Sequence, residues 1–214
     1  SAGRVKKAQD ACIRGGHKAS PVLSLEKIES PQKAYFLLFR IRRMKMQNGN
    51  LKEQILKETE KFPGKTAVLC KEYGNPERDI NIKGDVPVVS ASTIKVPVMM
   101  ALFWKVQEEK RSLQEEIPVR EEEILEDSKV FEYGGRMASL YELTVWMIVN
   151  SDNTATNVLI SWLGMDWLNR FFQKMGLKHT RLERKMLDFE AVKEGKNNYI
   201  SPADFCRCME LLKS

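Results

Sequence analysis

The chain has 214 residues, of which 43% are hydrophobic and 30% are charged, a composition typical of one globular domain or two small ones. Its net charge of +6 comes from the first 50 residues, where eleven Lys or Arg stand against three Asp or Glu, while the remaining residues sum to −2. This distribution argues against nucleic-acid binding by the body of the chain. No run approaches the roughly 18 apolar residues that span a bilayer, so we expect no integral membrane segment.

Residues 1–48 are predicted to form a basic leader or disordered arm, because they have no sustained periodicity and carry a Gly pair and two prolines. The apolar stretch at residues 34–39 is followed by arginines, the reverse of the order in a secretory signal, so no signal peptide is visible and the compartment stays open. We expect a domain at residues 49–214.

Hydrophobic periodicity predicts a mainly helical α/β (α+β) domain with a few strands. Helices are expected at residues 51–62, 96–106, 140–149, 153–163 and 167–175, with a further helix after Ser201-Pro202. Strands are expected at residues 66–73 and at residues 79–89, the second around a Lys83-Gly84-Asp85 turn. The dense apolar run at residues 96–106 predicts a helix that is buried on nearly all sides. Four scattered cysteines, Cys12, Cys70, Cys206 and Cys208, favour reduced structural thiols over a disulfide framework or a zinc site.

The segment Ser92-Thr93-Ile94-Lys95 stands where a predicted strand gives way to the buried helix. Spacing of i to i+3 on a helix places Lys95 within hydrogen-bond reach of the Ser92 hydroxyl. Burial lowers a lysine pKa, so Lys95 is a candidate base for a Ser92 nucleophile. The alternative is structural: Ser92 caps the helix and Lys95 extends outward to solvent.

The second motif, Ser151-Asp152-Asn153, follows Ser92 by 59 residues. It also opens a predicted helix, so it has a structural interpretation as an N-cap for the helix that starts at Asn153, and both roles are compatible. S-x-x-K followed by S-D-N is the start of a signature of serine acyl-transfer enzymes that work without histidine. Two such motifs in the right order, each at a helix start, favour a catalytic role.

The chain resembles class A β-lactamases and the broader β-lactamase-like serine hydrolases, which are penicillin-recognising serine acyltransferases. The resemblance runs from about Leu51 to Leu212 and rests on the motifs at Ser90–Lys95, 150–157, 175–177, 180–184 and 201–203. It implies a β-lactamase/transpeptidase-like fold. We expect mainly the helical domain and the N-terminal part of the α/β domain, without the C-terminal strands.

The resemblance also implies roles for individual residues. Ser92 becomes the acylated nucleophile, Lys95 its base, Ser151 the relay of a proton to the leaving nitrogen, and Asn153 the group that holds Lys95 and the substrate side-chain amide. It implies no cofactor and no metal, a small β-lactam or a cell-wall peptide as substrate, and a monomer.

Two departures from the family pattern bear on activity. Met186 or Lys185 stands where class A enzymes carry the glutamate that activates the deacylating water, and Asp188 or Glu190 is the candidate substitute. No Lys-Thr-Gly follows Ser151-Asp152-Asn153, so we expect a fragment of a longer product in which the strands at residues 66–73 and 79–89 lack partners.

Three functions follow from these features. The leading hypothesis is a β-lactam-hydrolysing enzyme, of the kind that confers antibiotic resistance, working through a Ser92 acyl-enzyme. The alternatives are a D,D-peptidase, and a penicillin-binding sensor that does not hydrolyse its adduct.

Overall fold

The computed structural model of the protein describes residues 51–72 and 74–213, and the predicted leader lies outside them. Helices and strands follow one another there as α1 (Leu51–Glu60), β1 (Val68–Cys70), β2 (Ile80–Ile82), β3 (Val88–Val89), α2 (Lys95–Glu108), β4 (Glu116–Val119), β5 (Arg136–Ser139), α3 (Leu140–Val149), α4 (Asn153–Leu163), α5 (Met165–Lys174), α6 (Phe189–Lys193), β6 (Tyr199–Ile200) and α7 (Pro202–Lys213). A short 3-10 helix, Ala91–Ile94, leads directly into α2. None of the described helices has the length and apolarity to cross a membrane.

Helices α2 to α5 enclose the main hydrophobic core. Ala101 and Leu102 of α2, Leu143 of α3 and Leu159 of α4 have no solvent exposure, and Leu168 of α5 packs into the same cluster. The prediction that the apolar run at residues 96–106 is buried on nearly all sides was wrong. Phe103 and Trp104 are each 39% exposed, because one face of α2 is turned to solvent.

The strands form three two-stranded antiparallel sheets in the described part of the chain. Sheet β1–β2 pairs Val68 with Ile82, and Ile55 of α1 packs beneath Ile80 and Ile82 in a second small core. The expectation that these strands lack partners was therefore wrong, since β1 and β2 pair with each other.

The segment predicted as a strand at residues 79–89, around a turn at residues 83–85, is divided at that turn into β2 and β3. Lys83 adopts a φ of 56° at the division, a left-handed conformation that interrupts an extended strand. Strand β3 then pairs with β6, with Val88 opposite Ile200 and Val89 opposite Tyr199. This pairing brings the residues just before Ser92 against a part of the chain more than a hundred positions later.

The β4–β5 pair was not predicted from the sequence. It aligns Glu116 with Ser139 and Val119 with Arg136, and the connection at residues 120–135 lies against the start of α4, where Thr154 accepts a hydrogen bond from the backbone of Leu125. Strand β5 runs directly into α3, whose N-cap is Ser139. Because of this pairing, residues 120–135 are held next to the Ser151-Asp152-Asn153 motif.

Three of the four cysteines, Cys70, Cys206 and Cys208, are free thiols as predicted, and Cys12 lies outside the described residues. Cys208 faces the core and Cys206 is only half-buried, as their two-residue spacing on a helix predicts.

Candidate active site

Lys95 lies at the centre of a polar cluster that joins the two motifs. Its Nζ donates to the backbone oxygen of Ser151 at 2.6 Å, to Ser151 Oγ at 3.0 Å and to Asn153 Oδ1 at 2.9 Å. An ammonium has three protons, and these three bonds use all of them. With only 2% of its surface exposed, Lys95 does not extend to solvent, so the structural alternative for this residue was wrong.

Ser92 joins the cluster through Ser151. The hydroxyl of Ser151 donates a hydrogen bond to Ser92 Oγ at 3.1 Å. The direct Lys95–Ser92 hydrogen bond expected from their spacing is absent. Ser92 lies in the 3-10 helix whereas Lys95 begins α2, and the three protons of Lys95 Nζ are donated to Ser151 and Asn153. The connection is a chain from Lys95 to Ser151 to Ser92.

Ser92 is not a helix cap. The N-cap of the 3-10 helix is Ser90 and that of α2 is Ile94, and neither side chain makes a capping hydrogen bond. Ser92 is exposed in the first turn of the 3-10 helix, where the backbone N–H of Thr93 already donates to the carbonyl of Ser90 at 3.0 Å and that of Ser92 precedes the first hydrogen bond of the turn. This is a favourable place for an anion that develops beside Ser92.

Two residues beside the cluster adopt left-handed backbone conformations that side chains other than glycine rarely adopt. Ala91, immediately before Ser92, has a φ of 45°, and Ser151 has a φ of 53°. The β3–β6 pairing supports the first of these, since the backbone N–H of Ser90 donates to the carbonyl of Asn198 at 2.8 Å. Such conformations persist where surrounding contacts enforce them, and they concentrate at functional sites.

Burial of Lys95 lowers its pKa from 10.5 to about 8, while the negative charges of Asp152 and Asp127 act in the opposite direction. The desolvation of the ammonium is the larger effect. A lysine with a pKa near 8 exists partly as the neutral amine near neutral pH, which is what a general base requires.

Asp152 fixes the second motif in place. One of its carboxylate oxygens accepts from the backbone N–H of Ala155 at 2.8 Å and caps α4, as the cap interpretation of this motif predicts. The other accepts from Ser128 Oγ at 2.7 Å. Asp152 is 6% exposed, so it connects the 120–135 segment to the start of α4 from inside the protein.

Asn153 is held by a residue that sequence reasoning missed. Its Nδ2 donates to a carboxylate oxygen of Asp127 at 2.7 Å. Asp127 follows a run of glutamates and an isoleucine-leucine pair and carries no motif of its own, so no local signal distinguishes it from a solvated acid. Its place in the site depends on the β4–β5 pairing.

The two proposed deacylation bases are engaged elsewhere. Asp188 is exposed and caps α6 by accepting from the backbone N–H of Ala191 at 3.0 Å, and Glu190 forms an ion pair with Lys193 at 2.7 Å. The structure brings neither side chain into hydrogen-bonding contact with Ser92. Their assignment as bases stays a prediction.

Met186 occupies the part of this loop that lies against α4. Asn157 accepts from the backbone N–H of Met186 at 2.7 Å and donates to its carbonyl at 3.1 Å, and the methionine is only 8% exposed. Arg184 donates through its guanidinium to the side-chain amide oxygen of Asn197. Residues 51–72 and 74–213 contain no group of three or more His, Cys, Asp or Glu side chains suited to a metal ion.

The fold and the Ser92–Ser151–Lys95 cluster define a protein of the β-lactamase/transpeptidase-like class. The sequence model described as "Beta-lactamase enzyme family" matches residues 50–214, most of the chain. The protein therefore belongs to the β-lactamase enzyme family.

Comparison with known proteins agrees with this assignment. A β-lactamase of Rhodobacter capsulatus is 35% identical over 127 residues, which are 56% of this chain and 42% of that protein. The structure of PBP-A is 33% identical with a TM-score of 0.61 over 73% of this chain and 58% of that one. A β-lactamase from Sphaerobacter thermophilus is 30% identical with a TM-score of 0.56, covering 63% and 52%. The chain spans about half the length of these relatives.

Proposed function

We propose that this protein is a serine acyltransferase of the class A β-lactamase type, which reacts with β-lactams through an acyl-enzyme on Ser92. The observation that carries the proposal is the unbroken hydrogen-bond chain from Lys95 through Ser151 to Ser92. PBP-A, which is 33% identical, has been captured in a leucine-to-glutamate variant as an acyl-enzyme complex with penicillin G.

The chain of contacts supports a specific acylation step. Lys95 in its neutral form accepts a proton that leaves Ser92 by way of the Ser151 hydroxyl, since hydroxyl protons rotate to suit either direction. Ser92 Oγ then bonds to the lactam carbonyl carbon, the carbon–nitrogen bond of the ring breaks, and Ser151 returns the proton to the nitrogen. The backbone N–H of Ser92, at the start of the 3-10 helix, stabilises the anion that forms on the carbonyl oxygen.

A second candidate, a penicillin-binding protein that stays acylated, is favoured by the loop after Arg184. Met186 is an apolar residue clamped by Asn157, Asp188 is used as a cap, and Glu190 is paired with Lys193 at the surface. No carboxylate in this loop is free to activate water beside Ser92 in the described structure, so slow deacylation follows. A D,D-peptidase acting on cell-wall peptides uses the same acylation chemistry.

Labelling with a fluorescent penicillin tests the proposal. We expect a covalent fluorescent adduct on the full-length protein that disappears in Ser92→Ala and persists in Ser112→Ala, a change at a surface hydroxyl that contacts only the local backbone. The decay of the adduct after removal of free label separates rapid hydrolysis from a long-lived acyl-enzyme. An adduct of undiminished intensity in Ser92→Ala would refute the proposal.

A further inference from the structure

The side-chain amide of Asn153 is held on both sides by charged groups. Its Oδ1 accepts from Lys95 Nζ at 2.9 Å, and its Nδ2 donates to Asp127 at 2.7 Å. An ammonium only donates and a carboxylate only accepts, so these partners fix which way the amide points. Nδ2 has two N–H bonds, and Asp127 engages one of them.

Asp127 also adds a negative charge at an accessible point of the site. The residue is exposed, and its hydrogen bond to Asn153 fixes the carboxylate beside the cluster. The salt bridges within residues 51–72 and 74–213 do not include Asp127, so no basic side chain of that part pairs with it directly. The charge of Lys95 reaches Asp127 only across the Asn153 amide, and Lys95 is buried. Within the described residues, a substrate that approaches Asn153 therefore meets an exposed carboxylate without a direct ion-pair partner.

The geometry of one nitrogen limits how far a substrate can lie from this charge. If the acyl amide of a substrate binds the second N–H of Asn153, two acceptors on the same nitrogen lie within roughly 6 Å of each other. The acyl side chain is attached directly to that amide, so its first substituent lies beside Asp127. At an exposed site, a unit charge on the substrate at this distance from Asp127 changes the acylation rate by about three- to tenfold. A positive charge raises the rate and a negative charge lowers it.

We propose that Asp127 is a specificity-determining residue, which favours acyl donors that carry an ammonium group next to their acyl amide and disfavours those with an anionic group there. This inference rests on the proposed function of Ser92. Asp127 acts on the bound acyl side chain and not on the reacting atoms, so its effect is a preference among substrates.

Three penicillins form a matched series for the test, since ampicillin, benzylpenicillin and carbenicillin differ only in carrying an ammonium, a hydrogen or a carboxylate beside the acyl amide. Second-order acylation rate constants are measured on the full-length protein by competition with a fluorescent penicillin, at about pH 6.5, where an α-amine is protonated. We expect the acylation rate constant to be highest for ampicillin, intermediate for benzylpenicillin and lowest for carbenicillin. Comparing substrates at one pH cancels the protonation state of Lys95.

The variant Asp127→Asn retains an acceptor for Asn153 but removes the charge. We expect it to lower the ampicillin-to-carbenicillin ratio by about tenfold, and 1 M salt to lower the wild-type ratio in the same direction. Glu210→Gln is the matched control, since it removes one negative charge from α7, where Glu210 pairs with Lys71, and should leave the ratio unchanged.

The outcomes separate this inference from the proposed function. If benzylpenicillin acylates Ser92 in both proteins but the ratio is the same in wild type and Asp127→Asn, the proposed function stands and the role of Asp127 is overturned. If none of the three penicillins acylates the wild type, both are overturned.

Discussion

Lys95 illustrates how burial turns an ordinary residue into a candidate base. The ammonium is removed from water by α2 and α4 and is compensated by three hydrogen bonds to the second motif. Desolvation is the strongest influence and lowers the pKa of Lys95 to about 8, although the negative charges of Asp152 and Asp127 favour the charged form. The balance leaves a lysine that exchanges its proton close to physiological pH.

This balance predicts the pH dependence of acylation. Because the neutral amine is the reactive form, the second-order rate constant for penicillin should rise with pH and level off above an apparent pKa near 8. Acylation rates measured between about pH 6 and pH 10 check this expectation. A lysine with the ordinary pKa of about 10.4 would instead give a rate that still rises at pH 10.

Lys95→Arg provides the control, because an arginine stays protonated across this range and should lower the rate by at least about 100-fold. A wild-type profile that is flat from pH 6 to pH 10 would contradict the role of Lys95 as the base.

At this scale, the sequence predicts the residues of the two motifs but not their connections. Ser92, Lys95, Ser151 and Asn153 are recognisable because each lies within three positions of another member of its motif. Asp127 lies 26 positions before Asn153 in the sequence. No local pattern predicts the contact between their side chains, because that contact depends on the pairing of β4 with β5. The chain of contacts through Ser151 was also missed, since spacing on an ideal helix does not describe a 3-10 turn.

The start of α4 is the element on which the site depends. Asp152 caps this helix and holds Ser128, and on either side of it Ser151 and Asn153 face Lys95. One buried carboxylate thus sets both the direction of α4 and the position of two site residues. Removing it should affect stability and acylation together.

We expect Asp152→Ala to lower the free energy of unfolding by about 2 kcal/mol, because it removes a cap and leaves Ser128 without its buried partner. Acylation by penicillin should fall as well. Urea unfolding and the labelling rate measure the two effects.

Ser139→Ala is the matched control, since Ser139 caps α3 by accepting from the backbone N–H of Glu142 and makes no contact with the cluster. It should cost about 1 kcal/mol of stability and leave the acylation rate unchanged. Equal losses of acylation in both variants would mean that helix stability alone explains the effect of Asp152.

Helices were easier to predict than strands for a physical reason. The expected bounds of α3 and α4 match the structure, because long apolar periodic segments are bounded there by caps. Strand β4 contains Pro118 and an exposed glutamate, and β5 has no β-branched residue, so neither has a strand pattern. Their pairing is determined by tertiary contacts that a local pattern does not contain.

At the scale of the whole molecule, the protein combines a family fold with a loop that departs from the class A pattern. The fold and the family agree with the resemblance seen in the sequence. The loop after Arg184 carries an apolar residue, Met186, anchored to α4 by Asn157. For the acyl-enzyme proposed at Ser92, this departure bears on its hydrolysis and not on its formation.

Met186→Glu should therefore convert a long-lived adduct into a shorter-lived one. A carboxylate at this position supplies a general base for water, and we expect the adduct to decay at least about tenfold faster. The decay of labelled protein after removal of free penicillin measures the effect.

Met186→Gln controls for the change of shape and polarity at this buried position, since it lacks the base and should decay like the wild type. If Met186→Glu labels normally and decays no faster than Met186→Gln, the loop is not what limits deacylation.

Ser92 is proposed to be the acylated residue, and locating the penicillin adduct on the chain tests this most directly. The full-length protein is incubated with penicillin G, digested and mapped by mass spectrometry. We predict a mass increase of one penicillin G on the peptide that contains Ser92, with Ser151 and all other serines unmodified. An adduct on another residue, or no adduct on wild-type protein that is folded, would contradict the claim.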